Sequence, residues 1–330
     1  MVTVAVDAGG ADKGAVEVAA GAAEAVRGGQ IRVLLFGDES EIGSVPQGVE
    51  VRHAPVSIAK AADPASAVRT TPQASVVQAA RAVAAGEADA FVSGGSTGAA
   101  LAAGVLHIRR QPGVHRPALA LMVPVPGAPV LLLDVGASTE VRVERLVQHA
   151  HMGAAFGEAV FGMDRPRVAL LSNGEEATRG TPEVIAAHAL LAADERIHFV
   201  GNVEGVGIAD GRADVIVTDG FTGNVALKLM EGVSSAVVEA IRSAATSDPR
   251  AAAGALLLRP ALGGLKDQLD PEAHGGAHLL GLRKVAVVPH GRFGARGYSK
   301  AILLAAESVN SGAIERTHAA LAAAGVLRGS

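Results

Sequence analysis

The segment Ala88-Asp-Ala-Phe-Val-Ser-Gly-Gly-Ser-Thr-Gly98 recurs in kind at Ala213-Asp-Val-Ile-Val-Thr-Asp-Gly-Phe-Thr-Gly223. Each copy reads as a short buried strand, a glycine-rich turn and then a helix, with Thr97 or Thr222 expected as N-cap. A helix start leaves four backbone N–H groups unpaired and carries about half a positive charge, so each turn is a candidate cradle for a phosphate or a developing oxyanion. An ordinary capped strand-to-helix connection has the same appearance. What lifts the pair above that reading is glycine and threonine at matched offsets.

The flanking sequence repeats the alternation. Strands are expected at Val2 to Val6, Ile31 to Phe36, Ala90 to Ser93, Ala118 to Val123, Val130 to Leu133, Arg167 to Leu171, Ile197 to Val200, Asp214 to Thr218 and Lys284 to Val288. Most are continuous apolar runs, the pattern of parallel strands buried on both faces. Helices are expected at about Gln73 to Ala85, Gly98 to Arg109, Val141 to Phe161, Pro182 to Ala193, Gly223 to Ala244 and Lys300 to Ala324. The fold class is therefore α/β, layered α/β/α on a mostly parallel sheet. No linker or charge block divides the 330 residues, so 1–330 reads as one unit with room for two lobes.

In such sheets ligands sit beyond the carboxyl ends of strands, and the polar phrases are expected there along one edge. They supply the candidate substrate-binding residues Asp7, Gly9, Gly10, Ser93, Gly95, Ser96, Thr97, Gly98, Asp134, Gly136, Asn173, Glu176, Asn202, Glu204, Gly220, Thr222 and Gly223. Asn224 and Lys228 lie four apart on one helical face, so an amide and a cation can point the same way as the N-terminal amides; a surface pair between Lys228 and Glu231 is the plainer alternative. With Asp219 and His290, which follows a late strand, these are the candidate catalytic residues.

Several chemistries are excluded. There is no cysteine, hence no disulfide, thiolate metal site or acyl-cysteine, which suits a reducing cytoplasm. No metal-ligand spacing occurs and no cofactor is expected: Gly9, Gly10 and Gly14 do not form G-x-G-x-x-G, and no P-loop is present. A net charge of −4, with one Tyr, seven Phe and no Trp, leaves neither a basic surface nor stacking platforms for nucleic acid. Met1 to Asp7 reads as a strand, not an export signal. Asp248-Pro249 should cap and start a helix that Arg259-Pro260 stops, followed by a second short helix. Over 248–270 this makes a protruding amphipathic hairpin whose face carries Leu258, Leu262, Leu265 and Leu269. It packs on the body or on a subunit, or rests on lipid.

Taken together, these phrases resemble the phosphate acyltransferase (PlsX) family over nearly the whole chain. The likeness rests on Val4-Ala-Val-Asp-Ala8, Phe91-Val-Ser93 with Thr97-Gly98, Leu131-Leu-Leu-Asp-Val-Gly-Ala137, Gly201-Asn-Val-Glu204, Gly275-Gly-Ala277 with Leu279-Leu-Gly-Leu282, and above all Thr218-Asp-Gly-Phe-Thr-Gly-Asn-Val-Ala-Leu-Lys228. The resemblance implies an architecture like that of phosphotransacetylases and isopropylmalate dehydrogenase. It implies a homodimer that converts acyl-ACP and inorganic phosphate to acyl phosphate for a membrane glycerol-phosphate acyltransferase in phospholipid synthesis. It also implies a cytoplasmic location with peripheral membrane contact through 251–269. The sequence departs from the family pattern at Gly9, Ala11 and Lys13, which stand for Met, Gly and His, and at Ser96 and Ser138, which stand for Asn; Arg292-Phe293 replaces small polar residues. Serine keeps an oxygen but lacks the amide donor and the reach. An acyl-CoA donor, or a member that only binds carrier protein or membrane, are the alternatives. Attack of phosphate on a thioester needs positioning and charge stabilisation more than proton traffic. Which turn holds phosphate and which the oxyanion is open at this level.

Overall fold

A computed structural model describes residues 1–258 and 270–329. Eleven strands, β1 (Val2–Asp7), β2 (Ile31–Gly37), β3 (Val49–His53), β4 (Ala90–Ser93), β5 (Ala118–Val123), β6 (Val130–Leu133), β7 (Val168–Leu171), β8 (Phe199–Val203), β9 (Val215–Val217), β10 (Ala277–Leu280) and β11 (Val285–Val288), form one sheet in the order β3-β2-β1-β4-β11-β10-β5-β6-β9-β7-β8. Seven of the ten neighbouring pairs are parallel. The helices are α1 (Ala15–Ala25), α2 (Glu39–Ile42), α3 (Pro64–Thr70), α4 (Ser75–Ala84), α5 (Thr97–Ala103) with a π-helical extension Gly104–Ile108, α6 (Val143–Phe161), α7 (Pro182–Ala192), α8 (Gly220–Ala245), α9 (249–258), α10 (Ala295–Asn310) and α11 (Ala313–Ala323).

One buried cluster covers one face of the sheet from end to end, joining Phe91 and Ala286 to Leu132 and Ile216. The opposite face carries two clusters. One packs α1 and α10 on β1, β2, β4 and β11 through Tyr298 and Ile302. The other packs α6, α7 and α11 on β5, β6, β7 and β9 through Phe156 and Leu191. A Cβ on Gly21 would lie 2.6 Å from the Ala295 carbonyl, so a glycine is what lets α1 approach α10 this closely.

Several expectations are revised. β10–β11, β10–β5 and β5–β6 are antiparallel. Three reversals lie between β11 and β6, so β6, β9, β7 and β8 run opposite to β1, β4 and β11. The strand-end phrases therefore leave the sheet at two opposed edges, not one. The long helix expected over Lys300 to Ala324 is two helices, because Gly312 adopts a left-handed φ of 66° that turns the chain after α10. Asp248 does cap the start of α9, accepting from the amides of Arg250 and Ala251. Its stop at Arg259-Pro260, the second helix of the hairpin and Leu262, Leu265 and Leu269 lie outside the described residues. Among the described residues no helix is long and apolar enough to cross a membrane.

The core also stores an acid liability. His278 of β10 is buried and donates from Nε2 to Ser308 Oγ at 2.8 Å, since that hydroxyl in turn donates to the Leu304 carbonyl. Burial pushes its pKa down to about 3 from 6.5. Between those values the unfolded chain binds a proton that native His278 refuses, so stability is full above about pH 6.5 and is lost as pH falls. Buried His149 and His151, also shifted down by desolvation, act in the same direction. Urea unfolding at pH 7 and pH 4.5 should show His278→Gln losing roughly 2–3 kcal/mol less than the parent protein over that interval; equal losses would mean His278 titrates normally in the native state.

Candidate active site

The second glycine turn is built around two carboxylates. β6 and β9 pair in parallel, so Asp134 and Thr218 leave the sheet side by side. Asp134 is fully buried: Oδ1 accepts from the amides of Leu119, Gly136 and Ala137, and Oδ2 from the Ser138 hydroxyl. The first turn of α8 lies on this loop. A Cβ on Gly220 would sit 2.2 Å from the Ser138 carbonyl oxygen, and one on Gly223 would sit 2.0 Å from that of Asp134. The N-cap is Asp219 and not Thr222: its Oδ1 accepts from the amides of Phe221 and Thr222, both at 3.0 Å, and Thr222 is the third residue of the helix. The charge of this helix start is thus met by the protein's own carboxylate. Asn224 lies beside Gly136, whose added Cβ would be 3.6 Å from the Asn224 side-chain oxygen.

The first turn is open. Here too the expected cap is displaced by one residue, from Thr97 to Ser96, whose Oγ accepts from the Ala99 amide at 3.4 Å. Among the described residues, none accepts a hydrogen bond from the amides of Gly95, Ser96, Thr97 or Gly98. Beneath them Asp7 and Ser93, paired across β1 and β4, are both buried, and Ser93 donates to Asp7 Oδ2 at 2.7 Å. Gly9 donates its amide to Asp7 Oδ1. Gly10 must be glycine, because a Cβ there would be 2.4 Å from the Gly95 Cα. Burial pushes the Asp7 carboxyl above its usual range, against the pull of the Ser75 and Ser93 hydroxyls and the Gly9 amide. A small polar pocket opens here, lined by Asp7, Gly10, Ser75, Ser93, Gly95 and Ser96 among others.

Opposed strand directions separate the two turns; the loop after β11 and the charge of Lys228 on α8 relate them. The loop after β11 abuts the first turn: Asp12 donates its amide to the Gly291 carbonyl, and a Cβ on Gly291 would lie 3.1 Å from the Gly94 carbonyl. His290 in this loop is lowered in pKa first by burial and next by the Lys228 ammonium, with Glu231 opposing. Lys228 and Glu231 pair at 2.8 Å on α8. The helix that starts at the Asp134 loop therefore carries Lys228 within electrostatic range of His290, whose loop abuts the Gly94 to Gly98 turn. His290 Nδ1 accepts from the Arg292 amide at 3.2 Å, which places the proton of the neutral ring on Nε2.

Four candidates fall elsewhere. Asn173 and Glu176 follow β7, and Asn202 and Glu204 belong to β8 and its exit, at the far end of the sheet from β4. Asn202 is buried and braces its surroundings, meeting His188 Nδ1 and donating to the Glu176 carbonyl. Glu176 is exposed and pairs with Arg179. Two residues of the site carry no motif and were not anticipated: Ser75, against which a Cβ on Gly9 would clash, and Tyr298, fully buried with its hydroxyl under Gly94 and unpaired in the described structure. Its position as the chain's lone tyrosine is the one signal the sequence offers.

The architecture is that of the phosphotransacetylases. The EutD phosphotransacetylase from Staphylococcus aureus superposes with a TM-score of 0.59 at 17% identity, covering 93% of this chain and 94% of that one. A 4-hydroxythreonine-4-phosphate dehydrogenase from Klebsiella pneumoniae gives 0.55 at 15% identity, covering 94% and 100%. Within that fold class the chain belongs to the family described as fatty acid synthesis protein, whose model matches residues 2–316. It is 41% identical to the phosphate acyltransferase of Thermobifida fusca (strain YX), over 92% of this chain and 86% of that protein. It is 39% identical to that of Gloeothece citriformis (strain PCC 7424), over 96% and 92%.

Proposed function

We propose that the protein transfers a fatty acyl group from a thioester to inorganic phosphate, giving acyl phosphate for phospholipid synthesis. The observation that carries this reading is the row of unpaired amides from Gly95 to Gly98 against the His290 loop, with Lys228 in electrostatic range of His290. Of the two turns, this one offers the longer row of free amides, since Asp219 takes those of Phe221 and Thr222 in the other. Phosphate lies on the open amides. Its neighbour Asp7 holds a proton more readily than an exposed carboxylate, which reduces repulsion with the bound anion.

A phosphate oxygen attacks the thioester carbon, the C–O bond forms and the C–S bond breaks. The sulfur leaves with the bonding pair and takes the proton of hydrogen phosphate, so thioester and hydrogen phosphate become acyl phosphate and thiol. The oxyanion that develops on the thioester oxygen faces the Lys228 ammonium and the Nε2–H of a neutral His290, charge stabilisation of the kind that dominates acyl transfer. Asn224 and Asp219 act one turn back: Asp219 caps α8 and Asn224 sits at the Gly136 loop, fixing the helix that presents Lys228.

The donor we infer is acyl-ACP, with a membrane glycerol-phosphate acyltransferase as the consumer of the product and the cytoplasmic membrane face as the place of work. An exposed apolar row on α8, Phe221, Val225, Leu229, Val233, Val237 and Ile241, supports a second copy of the chain as the partner that covers it. Exposed Leu256, Leu257 and Leu258 on α9 support peripheral lipid contact through 251–269. Hydroxylamine trapping of acyl phosphate, with acyl-ACP and acyl-CoA offered side by side, tests the reading. Hydroxamate should form from acyl-ACP and require phosphate. Formation from acyl-CoA alone would shift the donor, and none from either would overturn the assignment.

A further inference from the structure

β5 is the seventh strand of eleven, deep in the sheet, yet Leu121 at its middle is partly open to solvent. Its neighbours on the same face, Leu119 and Val123, are buried. A central strand of a layered sheet ordinarily has both faces covered, so something is left uncovered here. On one side the π-helical extension of α5 lies over β10, where a Cβ on Gly104 would be 2.8 Å from Leu282 and 3.3 Å from Leu279. On the other side α8 packs on β6. Between them Leu121 is the floor, and the walls present Leu101 and Val105 from one helix and Leu227 and Met230 from the other. All five are partly exposed and all rest on the same buried cluster.

Each wall carries a residue of the proposed reaction site. α5 starts at the open amides of Gly95 to Gly98, and α8 carries Lys228 next to Leu227. We propose that this groove holds the hydrocarbon chain of the acyl donor, with Leu121, Val105 and Met230 setting how long a chain is accommodated. The inference rests on the acyl-transfer reading and goes beyond it by assigning the chain's path. Continuity with the anion site selects the occupant: a thioester whose carbonyl faces Lys228 has its apolar tail at the head of this groove, and each methylene buried there is worth about fourfold in binding.

Leu121→Trp fills the floor, and Val105→Trp narrows one wall should the first variant fold poorly. With hexadecanoyl and butanoyl thioesters and hydroxylamine trapping, either variant should lose about 10- to 100-fold in kcat/KM for the long chain and stay within about twofold for the short one. Equal losses for both chain lengths, or none, would overturn the groove. A saturation titration with a fluorescent fatty acid separates this from the acyl-transfer reading. If the parent protein makes no acyl phosphate from any thioester, that reading fails. The groove still stands or falls on whether the parent binds the probe and Leu121→Trp and Val105→Trp lose it at least tenfold.

Discussion

Gly223→Ala is expected to destabilise the protein by about 3 kcal/mol or more and to abolish activity, whereas Gly232→Ala on the same helix should stabilise it by up to about 1 kcal/mol. Helix propensity alone gives the two substitutions the same sign, since alanine is favoured over glycine in a helix interior by about 1 kcal/mol. The surroundings reverse it at one position. A methyl on Gly223 would meet the Asp134 backbone oxygen at 2.0 Å and Thr218 Cγ2 at 2.9 Å, and backbone does not yield as a side-chain end does. Nothing lies within 4 Å of a Cβ on Gly232. Relieving the clash means lifting the first turn of α8 off the Asp134 loop, which moves Asn224 and Lys228 with it. Thermal and urea unfolding of both variants, with acyl phosphate formation measured below the melting range, checks the pair. Equal stabilisation by the two alanines would show that α8 does not seat on β6 as described.

That seating explains which parts of the molecule were legible in sequence. Strands buried on both faces announce themselves as unbroken apolar runs, and β4, β5 and β6 fall on the expected residues. β10 is shorter in signal, because Ala277 to Leu280 is flanked by glycines and contains a histidine whose burial depends on Ser308 from α10. Strand direction leaves no local mark: the reversals at β10 and β5 follow from which strands pair, and they move Asp134 and Thr218 to the edge opposite Asp7 and Ser93. The N-caps were off by one and three residues because each turn holds several capping side chains. Geometry, not composition, selects Ser96 over Thr97 and Asp219 over Thr222. Nor does a motif reveal whether an amide is free. The two turns look alike in sequence, yet one spends two of its N–H groups on Asp219 and the other keeps those from Gly95 to Gly98.

The asymmetry suggests a division of labour between the copies. The turn that opens α8 is locked: Asp134 and Asp219 take the amides of Gly136, Ala137, Phe221 and Thr222, Gly220 and Gly223 press backbone on backbone, and the helix is aimed rigidly. The turn that opens α5 is the receptive one, its donors uncommitted over a floor of hydroxyls and one carboxyl. On the proposed reading, the rigid second turn serves the first by presenting Lys228 toward His290. Both the sequence alternatives for Lys228, a surface pair with Glu231 and a site residue, are then compatible, since the pair lies on the face of α8 that reaches His290.

Lys228→Ala should therefore lower kcat/KM by about 10²–10³ while changing stability by less than about 0.5 kcal/mol. The small stability effect follows from exposure: the pair with Glu231 is an i,i+3 contact with half of the Lys228 side chain in solvent, and such pairs contribute little. The rate effect follows from position, as removing one charge stabiliser of a developing oxyanion is the more costly loss. The pH profile separates this role from simple packing. Burial first, then Lys228 and Arg292, hold the His290 pKa down while Glu231 and Asp12 hold it up, so deleting the lysine removes one of the lowering influences and raises the pKa. If neutral His290 donates from Nε2 in the reaction, activity falls as pH drops through that pKa, and the acid limb of kcat/KM moves to higher pH in Lys228→Ala. Glu231→Gln should move it the other way with Lys228 still in place. A loss of rate in Lys228→Ala without displacement of the acid limb would separate the lysine from His290, and full activity would remove it from the site altogether.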